Sequence, residues 1–138
     1  MSPESADKKG LPAGGSSPKG AVGRAGEDAV CRYLMEHGHT VLDRNWRTGH
    51  LEIDIVTLFS DGIHFVEVKS RTAPSVAPPE ANAGRTKMLR ITRAANAWMA
   101  RHKELGGNEI FLDVATVLFD RGISDINYYP SAYIPLFL

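Results

Sequence analysis

Three side chains in the stretch Leu51 to Arg71, LEIDIVTLFSDGIHFVEVKSR, are out of place for plain core strands. Asp54 interrupts an aliphatic run, and Glu67 and Lys69 sit two residues apart in the next one. Two carboxylates converging on one point repel each other and lose solvation, and a divalent cation relieves both penalties. Mg²⁺ is a hard ion that takes oxygen ligands, commonly one or two carboxylates with waters and substrate phosphate. Asp54 and Glu67 suit that role, with the backbone carbonyl of Val68 as a third ligand. Such an ion lowers the pKa of bound water and stabilises charge on a phosphate. Lys69 would position or deprotonate the attacking water, or stabilise the developing charge. The chemistry these groups add up to is hydrolysis of a phosphodiester. The competing explanation is a structural cross-strand lysine–carboxylate pair, worth about 0.2–1 kcal/mol.

Whether the three groups can meet depends on the strands that carry them. The stretch reads as two strands joined by a tight turn. A two-residue loop at Ser60-Asp61 pairs Phe59 with Gly62 and puts Asp54 opposite Glu67. A loop at Asp61-Gly62, a good type I′ sequence, makes Asp54 face Lys69 instead. Side chains alternate with a period of two, so either register leaves Asp54, Glu67 and Lys69 on one face at one end of the sheet. Glu52 falls on that face one pleat further out. The opposite face carries Ile53, Ile55, Thr57, His64, Val66 and Val68, mostly core.

The flanking elements follow from periodicity. Residues 1–22 are rich in Ser, Pro, Gly, Ala and Lys and are expected to be a disordered tail, with residues 23–138 forming a single domain. Gly23 to Gly38 reads as a helix with Ala25, Ala29, Val30, Tyr33 and Leu34 on its apolar stripe, and Glu27 pointing along the buried side. An acid in a first helical turn is also favourable for the helix dipole alone. Thr40 to Trp46 reads as a strand. After the hairpin, Thr72 to Gly84 is a Pro/Ala loop, and Arg85 to Leu105 a second helix buried through Met88, Ile91, Ala95 and Trp98. Glu109 to Asp120 reads as a central strand, apolar on both faces except at Asp113, which is expected to be a structural hydrogen-bonding acid. Ile123 to Tyr129 reads as an edge strand ended by Pro130. The fold class is α/β: a mixed sheet of four or five strands flanked by two main helices.

Composition narrows the setting. The 16 Lys and Arg balance 16 Asp and Glu, which argues against coating nucleic acid by charge alone. The charges are segregated, however. Between Gly84 and Leu105 there are six basic residues and one acid, whereas Glu52, Asp54 and Glu67 cluster on the hairpin. An acidic centre with a basic flank is what a metal-dependent enzyme acting on a polyanion needs. Arg71, Arg85, Lys87 and Arg90 are the candidate phosphate contacts. Cys31, the one cysteine, is expected in the core and fits a reducing cytoplasm. MSPESADKKG has no apolar core of a signal peptide, and no run approaches the length of a membrane span.

The order helix with Glu, strand, Asp, hairpin, Glu-x-Lys, helix resembles the PD-(D/E)xK nuclease superfamily, the restriction-endonuclease-like fold. More closely, GRAGEDAVCRYLMEHGHTVLDRNWR, LEIDIV, FVEVKSR and LDVATV resemble the YraN-like family of small bacterial proteins, described as endonucleases similar to Holliday-junction resolvases. The resemblance covers roughly 115 residues. It implies that Asp54, Glu67 and Lys69 are the metal and catalytic residues, and that Glu27 is the helix-borne acid completing the metal site. It also implies Mg²⁺ or Mn²⁺ as cofactor, DNA as partner, with branched or single-stranded structures as substrates, and a homodimer that joins two sites. A non-catalytic nucleic-acid-binding module on the same fold is the alternative. Two positions depart from the pattern: Ile53 stands where the superfamily name has proline, and Leu51 where the family has glycine.

Overall fold

The computed structural model describes residues 19–74 and 84–135. The Pro/Ala loop falls largely on 75–83 and the tail on 1–18, both outside the described residues, as are the last three. Helix α1 spans Ala21–Glu36, strand β1 Thr40–Thr48, β2 Leu51–Phe59, β3 Gly62–Thr72, helix α2 Gly84–Ala100, β4 Ile110–Asp120 and β5 Ile123–Tyr133. A 3₁₀ turn at Lys103–Leu105 links α2 to β4. The strands form one five-stranded sheet in the order β1-β2-β3-β4-β5. Only β3 and β4 are parallel, because α2 lies between them and carries the chain back across the sheet.

The two helices cover opposite faces, giving three layers. Val30, Cys31 and Leu34 of α1 pack on Ile55, Val66, Ala115 and Val117. Ile91, Ala94, Ala95 and Trp98 of α2 pack on Val56, Ile63, Phe65, Leu112 and Val114. Strand β4 is therefore buried on both sides, which explains its unbroken apolar run. Trp46 packs against the α2 layer, with the Arg101 guanidinium 5.4 Å from its ring centre.

The hairpin turns at Ser60-Asp61, so Phe59 pairs with Gly62 and Ile55 with Val66. The Asp61-Gly62 alternative is thereby excluded. Position 62 requires glycine: a Cβ there would lie 2.3 Å from the Glu109 carbonyl oxygen, and its φ is 147°.

Several boundaries differ from the sequence expectation. Helix α1 begins two residues early, so Ala21 and Val22 form its first turn rather than tail. Strand β1 runs on to Thr48. Helix α2 stops at Ala100, and the expected last turn is a separate 3₁₀ turn. Strand β5 does not end at Pro130 but continues to Tyr133. Proline is tolerated there because β5 is an edge, and the register shifts between Leu112 and Val114 opposite it. The buried Asp113 receives the displaced backbone: Ser131 N–H donates to its Oδ1 at 2.8 Å.

Asp113 is the structural acid expected from its place in a buried strand. Its Oδ2 accepts from the Tyr128 hydroxyl and lies 2.5 Å from His64 Nδ1, while His64 Nε2 lies 2.7 Å from Asp61 Oδ1. This chain ties the hairpin turn to β4 and β5. Burial pulls the His64 pKa down, but the two carboxylates outweigh it and the net shift is upward. Burial, followed by the Asp113 charge, pushes the Tyr128 hydroxyl up.

Candidate functional site

The β2–β3 ladder ends at the Ile55–Val66 pair. Beyond it, Asp54 Oδ2 accepts the Val68 N–H at 2.8 Å. A side chain thus takes an amide past the end of the ladder. The alternation of β2 also breaks here. Ile53 belongs to the α2 layer and Ile55 to the α1 layer, not to one face as the period of two predicts. On β1, between the Arg44–Ile55 and Trp46–Ile53 pairs, Asn45 takes a left-handed φ of 52°. Asparagine tolerates that conformation better than most residues.

Asp54 and Glu67 line one cavity of about 170 Å³, together with His50, Glu52, Ile53, Val66, Lys87, Arg90 and Ile91. The cavity thus joins the hairpin carboxylates to the basic face of α2. Glu67 Oε1 accepts from the Tyr133 hydroxyl at 2.9 Å, and its Oε2 lies 3.9 Å from Lys87 Nζ. Of the four candidate phosphate contacts, Lys87 and Arg90 reach this cavity. Arg85 is exposed in the first turn of α2, and Arg71 lies further along β3, with its Nε buried and outside any hydrogen bond. Lys69 is half-buried beside Thr116 of β4 and does not line the cavity. Val68 meets Asp54 through its N–H.

Glu27 is 1% exposed, and the close approach of α1 to β3 puts it there. Gly26 makes that approach possible: a Cβ at this position would lie 1.8 Å from Ser70 Oγ and 2.9 Å from Ser70 Cβ. Glu27 and Asp54 are joined by a group that sequence reasoning assigned to the tail. The Lys19 ammonium lies 2.8 Å from Glu27 Oε2, 2.7 Å from Glu52 Oε2, 3.0 Å from Asp54 Oδ1 and 3.0 Å from Asn45 Oδ1. Arg44 and Arg47 stand further off, at 3.7 Å from Glu27 and Glu52. Lys19 donates hydrogen bonds to Asn45 and Glu52, whereas its contacts with Glu27 and Asp54 are ion pairs by distance, and the buried Glu27 Oε2 has no hydrogen-bond donor.

The electrostatics follow from burial. Desolvation raises the pKa of Glu27, and Lys19 only partly offsets it. Asp54 is likewise raised by desolvation, against the Lys19 charge and the Val68 N–H. Burial alone would pull Lys19 down, but Asp54, Glu27 and Glu52 together hold it protonated well above its ordinary range. One ammonium shared by three carboxylates stays charged, while the buried acids remain short of full compensation.

The donor set suits a hard divalent cation: all oxygen, three carboxylates and a side-chain amide. A lysine ammonium already stands among them. Among the described residues no three His, Cys, Asp or Glu side chains are already placed to hold a metal ion. Lys19, Asn45 and Tyr133 escaped the sequence reading. Lys19 is one lysine in a low-complexity stretch. Tyr133 lies past a proline that reads as a strand end. Asn45 left one signal, the preference of asparagine for left-handed backbone.

The family model described as "Uncharacterised protein family UPF0102" matches residues 26–117, a span that holds Glu27, LEIDIV, FVEVKSR and LDVATV. A UPF0102 protein of Streptomyces griseus is 41% identical over 103 residues, covering 75% of this chain and 87% of that protein. One of Bacteroides thetaiotaomicron is 37% identical over 114 residues, 83% and 93% of the two chains. One of Anaeromyxobacter dehalogenans is 38% identical over 127 residues, 88% and 92%.

Proposed function

Taking as premise that the chain belongs to the UPF0102 family, we propose that it is a Mg²⁺- or Mn²⁺-dependent endonuclease that hydrolyses DNA phosphodiester bonds, with branched or single-stranded structures as its substrates. One observation carries this: Asp54 and Glu67 line the same cavity as Lys87 and Arg90. Oxygen ligands for a hard cation stand beside fixed charges for a polyanion. The order Glu27, Asp54, Glu67-x-Lys69 follows the PD-(D/E)xK pattern and supports the same conclusion.

Each residue has a task. Asp54 and Glu67 hold the metal, with Glu27 and the Val68 carbonyl beside them. A divalent ion at such a site activates water and neutralises phosphate charge. The Val68 N–H fixes one Asp54 oxygen, and the Tyr133 hydroxyl fixes one of Glu67, so both carboxylates are oriented before substrate arrives. Lys87 and Arg90 bind the phosphate backbone. Lys69 positions the attacking water or takes its proton. Cutting both strands of a junction takes two such sites, so a homodimer accompanies this function. Ile123, Tyr129 and Ile134 are exposed on and just after the edge strand, where a second copy would pack. The cellular setting that goes with it is the cytoplasm. Among the described residues no helix is long and apolar enough to cross a membrane.

The test is cleavage of branched, flapped, single-stranded and duplex DNAs with Mg²⁺ or Mn²⁺, wild type beside Lys69→Ala. Cleavage is expected for wild type, falling at least ~100-fold in the variant. Full activity in Lys69→Ala overturns the assigned role. Binding of DNA with no cleavage of any substrate selects the second reading, a nucleic-acid-binding module. One observation favours that reading: Lys69 does not line the cavity.

A further inference from the structure

Four oxygens surround the Lys19 ammonium at 2.7–3.0 Å: Glu27 Oε2, Glu52 Oε2, Asp54 Oδ1 and Asn45 Oδ1. An ammonium has three hydrogens to donate. Lys19 donates to Asn45 Oδ1 and Glu52 Oε2, while Glu27 Oε2 and Asp54 Oδ1 are held by charge, and Glu27 Oε2 is buried without a hydrogen-bond donor. A lysine that ties down a loop has no need of a fourth acceptor. A metal ion does, because it binds by charge and carries no fixed number of donors. Two of the four oxygens, on Asn45 and Glu52, belong to no catalytic pattern stated above. Both are aimed at this point by local backbone: Asn45 by its left-handed φ of 52°, and Glu52 by its place in β2 beyond the break at Asp54.

We propose that Glu27, Asn45, Glu52 and Asp54 form a divalent-cation site that shares Asp54 with the Asp54–Glu67 pair, and that Lys19 is its tethered occupant, displaced when the ion binds. The proposal deepens the metal-dependent function above and takes its catalytic meaning from it. It adds two ligands, Asn45 and Glu52, and a competitor built into the chain. The lysine is held where it can compete: its carbonyl oxygen accepts from the Arg24 guanidinium at 2.6 Å, and Gly20 follows it directly into α1. An Mg–O bond is about 2.1 Å. The four oxygens must therefore close in by roughly 0.6–0.9 Å each when the ammonium leaves. Side-chain rotations of that size are open to the partly exposed Glu52.

The experiment is Mn²⁺ binding to the full chain by calorimetry, in wild type, Lys19→Ala, Lys19→Arg and the double variant Lys19→Ala/Glu52→Gln. Lys19→Ala should bind at least ~10-fold more tightly than wild type, Lys19→Arg should stay close to wild type, and the double variant should lose the gain. A measurement on the unaltered protein avoids any loss of folding. Acetylation of Lys19 by an activated ester, followed by mass spectrometry, should accelerate at Mn²⁺ concentrations that saturate binding. If Mn²⁺ binds equally to wild type and Lys19→Ala, and Lys19 acetylation ignores it, the tethered competitor is wrong while the metal-dependent function stands. If no variant binds Mn²⁺ at millimolar concentration, both fall.

Discussion

Asp54 Oδ2 accepts the Val68 N–H at 2.8 Å, one step past the last β2–β3 pair, and leaves Oδ1 facing the Lys19 ammonium at 3.0 Å. A single carboxylate therefore both closes the end of the ladder and faces the site. These two jobs can be separated. Asp54→Asn keeps a carbonyl oxygen for Val68 but removes the charge. Asp54→Ala removes both, and leaving the Val68 amide unpaired costs about 1–3 kcal/mol. The asparagine variant should retain most of the wild-type stability in urea denaturation while losing cleavage at least ~100-fold. Activity within a few-fold of wild type in Asp54→Asn would rule out its role as a metal ligand.

The approach of α1 to β3 at Gly26 gives a second prediction, in which two effects oppose. Alanine in a helix interior is favoured over glycine by about 1 kcal/mol. Overpacking against Ser70, 1.8 Å from the new Cβ, costs about 1–3 kcal/mol. The net change for Gly26→Ala should be destabilising, and the displaced Glu27 should weaken metal binding. In a Ser70→Gly background the clash is gone, so adding Gly26→Ala should raise stability. If Gly26→Ala stabilises the wild type, Ser70 rotates away without cost and the tight approach is not what places Glu27.

The histidines beneath the hairpin turn set the pH dependence of stability. His64 has its pKa raised by Asp113 and Asp61. Its contribution is complete below the unfolded value near 6.5 and is lost as pH rises through the folded value. The neighbouring His39, its ring centre 5.0 Å from that of His64, has its pKa lowered, first by burial and then by the His64 charge. It penalises the folded state as pH falls below about 6.5. Together the pair should give maximal stability around pH 6.5. Asp61→Asn should flatten the alkaline limb and, because the Asp61 charge also favours protonated His39, should not relieve the acid limb. Denaturant midpoints from pH 5 to 8.5 would show this, and an unchanged alkaline limb in Asp61→Asn would remove Asp61 from the explanation.

Much of this architecture was legible in the sequence because it rests on period and turn chemistry. The three-layer core follows from the apolar stripes of α1 and α2 and from the continuous apolar run of β4. The turn register is legible, but the ladder ends at Ile55–Val66, short of the Asp54–Glu67 pair that register implies; the two residues are instead found lining one cavity. The failures sit where side chains take over backbone roles. The alternation rule failed at Ile53 because β2 breaks at Asp54, and no local residue pattern announces the break. Strand β5 outran Pro130 because Asp113, remote in sequence, accepts the bulged Ser131 amide. Lys19 was invisible for a different reason. Its contacts lie at sequence separations of up to 35 residues, within a stretch whose composition carries no periodicity.

The basic wall of the cavity makes the last prediction. Lys87 and Arg90 line it beside Asp54 and Glu67, whereas Arg101 is turned to Thr48, which accepts from its guanidinium at 3.1 Å, and to Trp46. Each phosphate contact on duplex DNA contributes about 0.9 to the slope of log affinity against log salt. Lys87→Ala/Arg90→Ala should therefore lower that slope by about 2 and weaken binding to all sequences alike. Arg101→Ala should leave the slope unchanged. Fluorescence anisotropy with labelled DNA between 50 and 200 mM salt, roughly the range over which such contacts are lost, measures both. Equal slopes in wild type and the double variant would place the DNA elsewhere on the protein and detach the cavity from nucleic-acid binding.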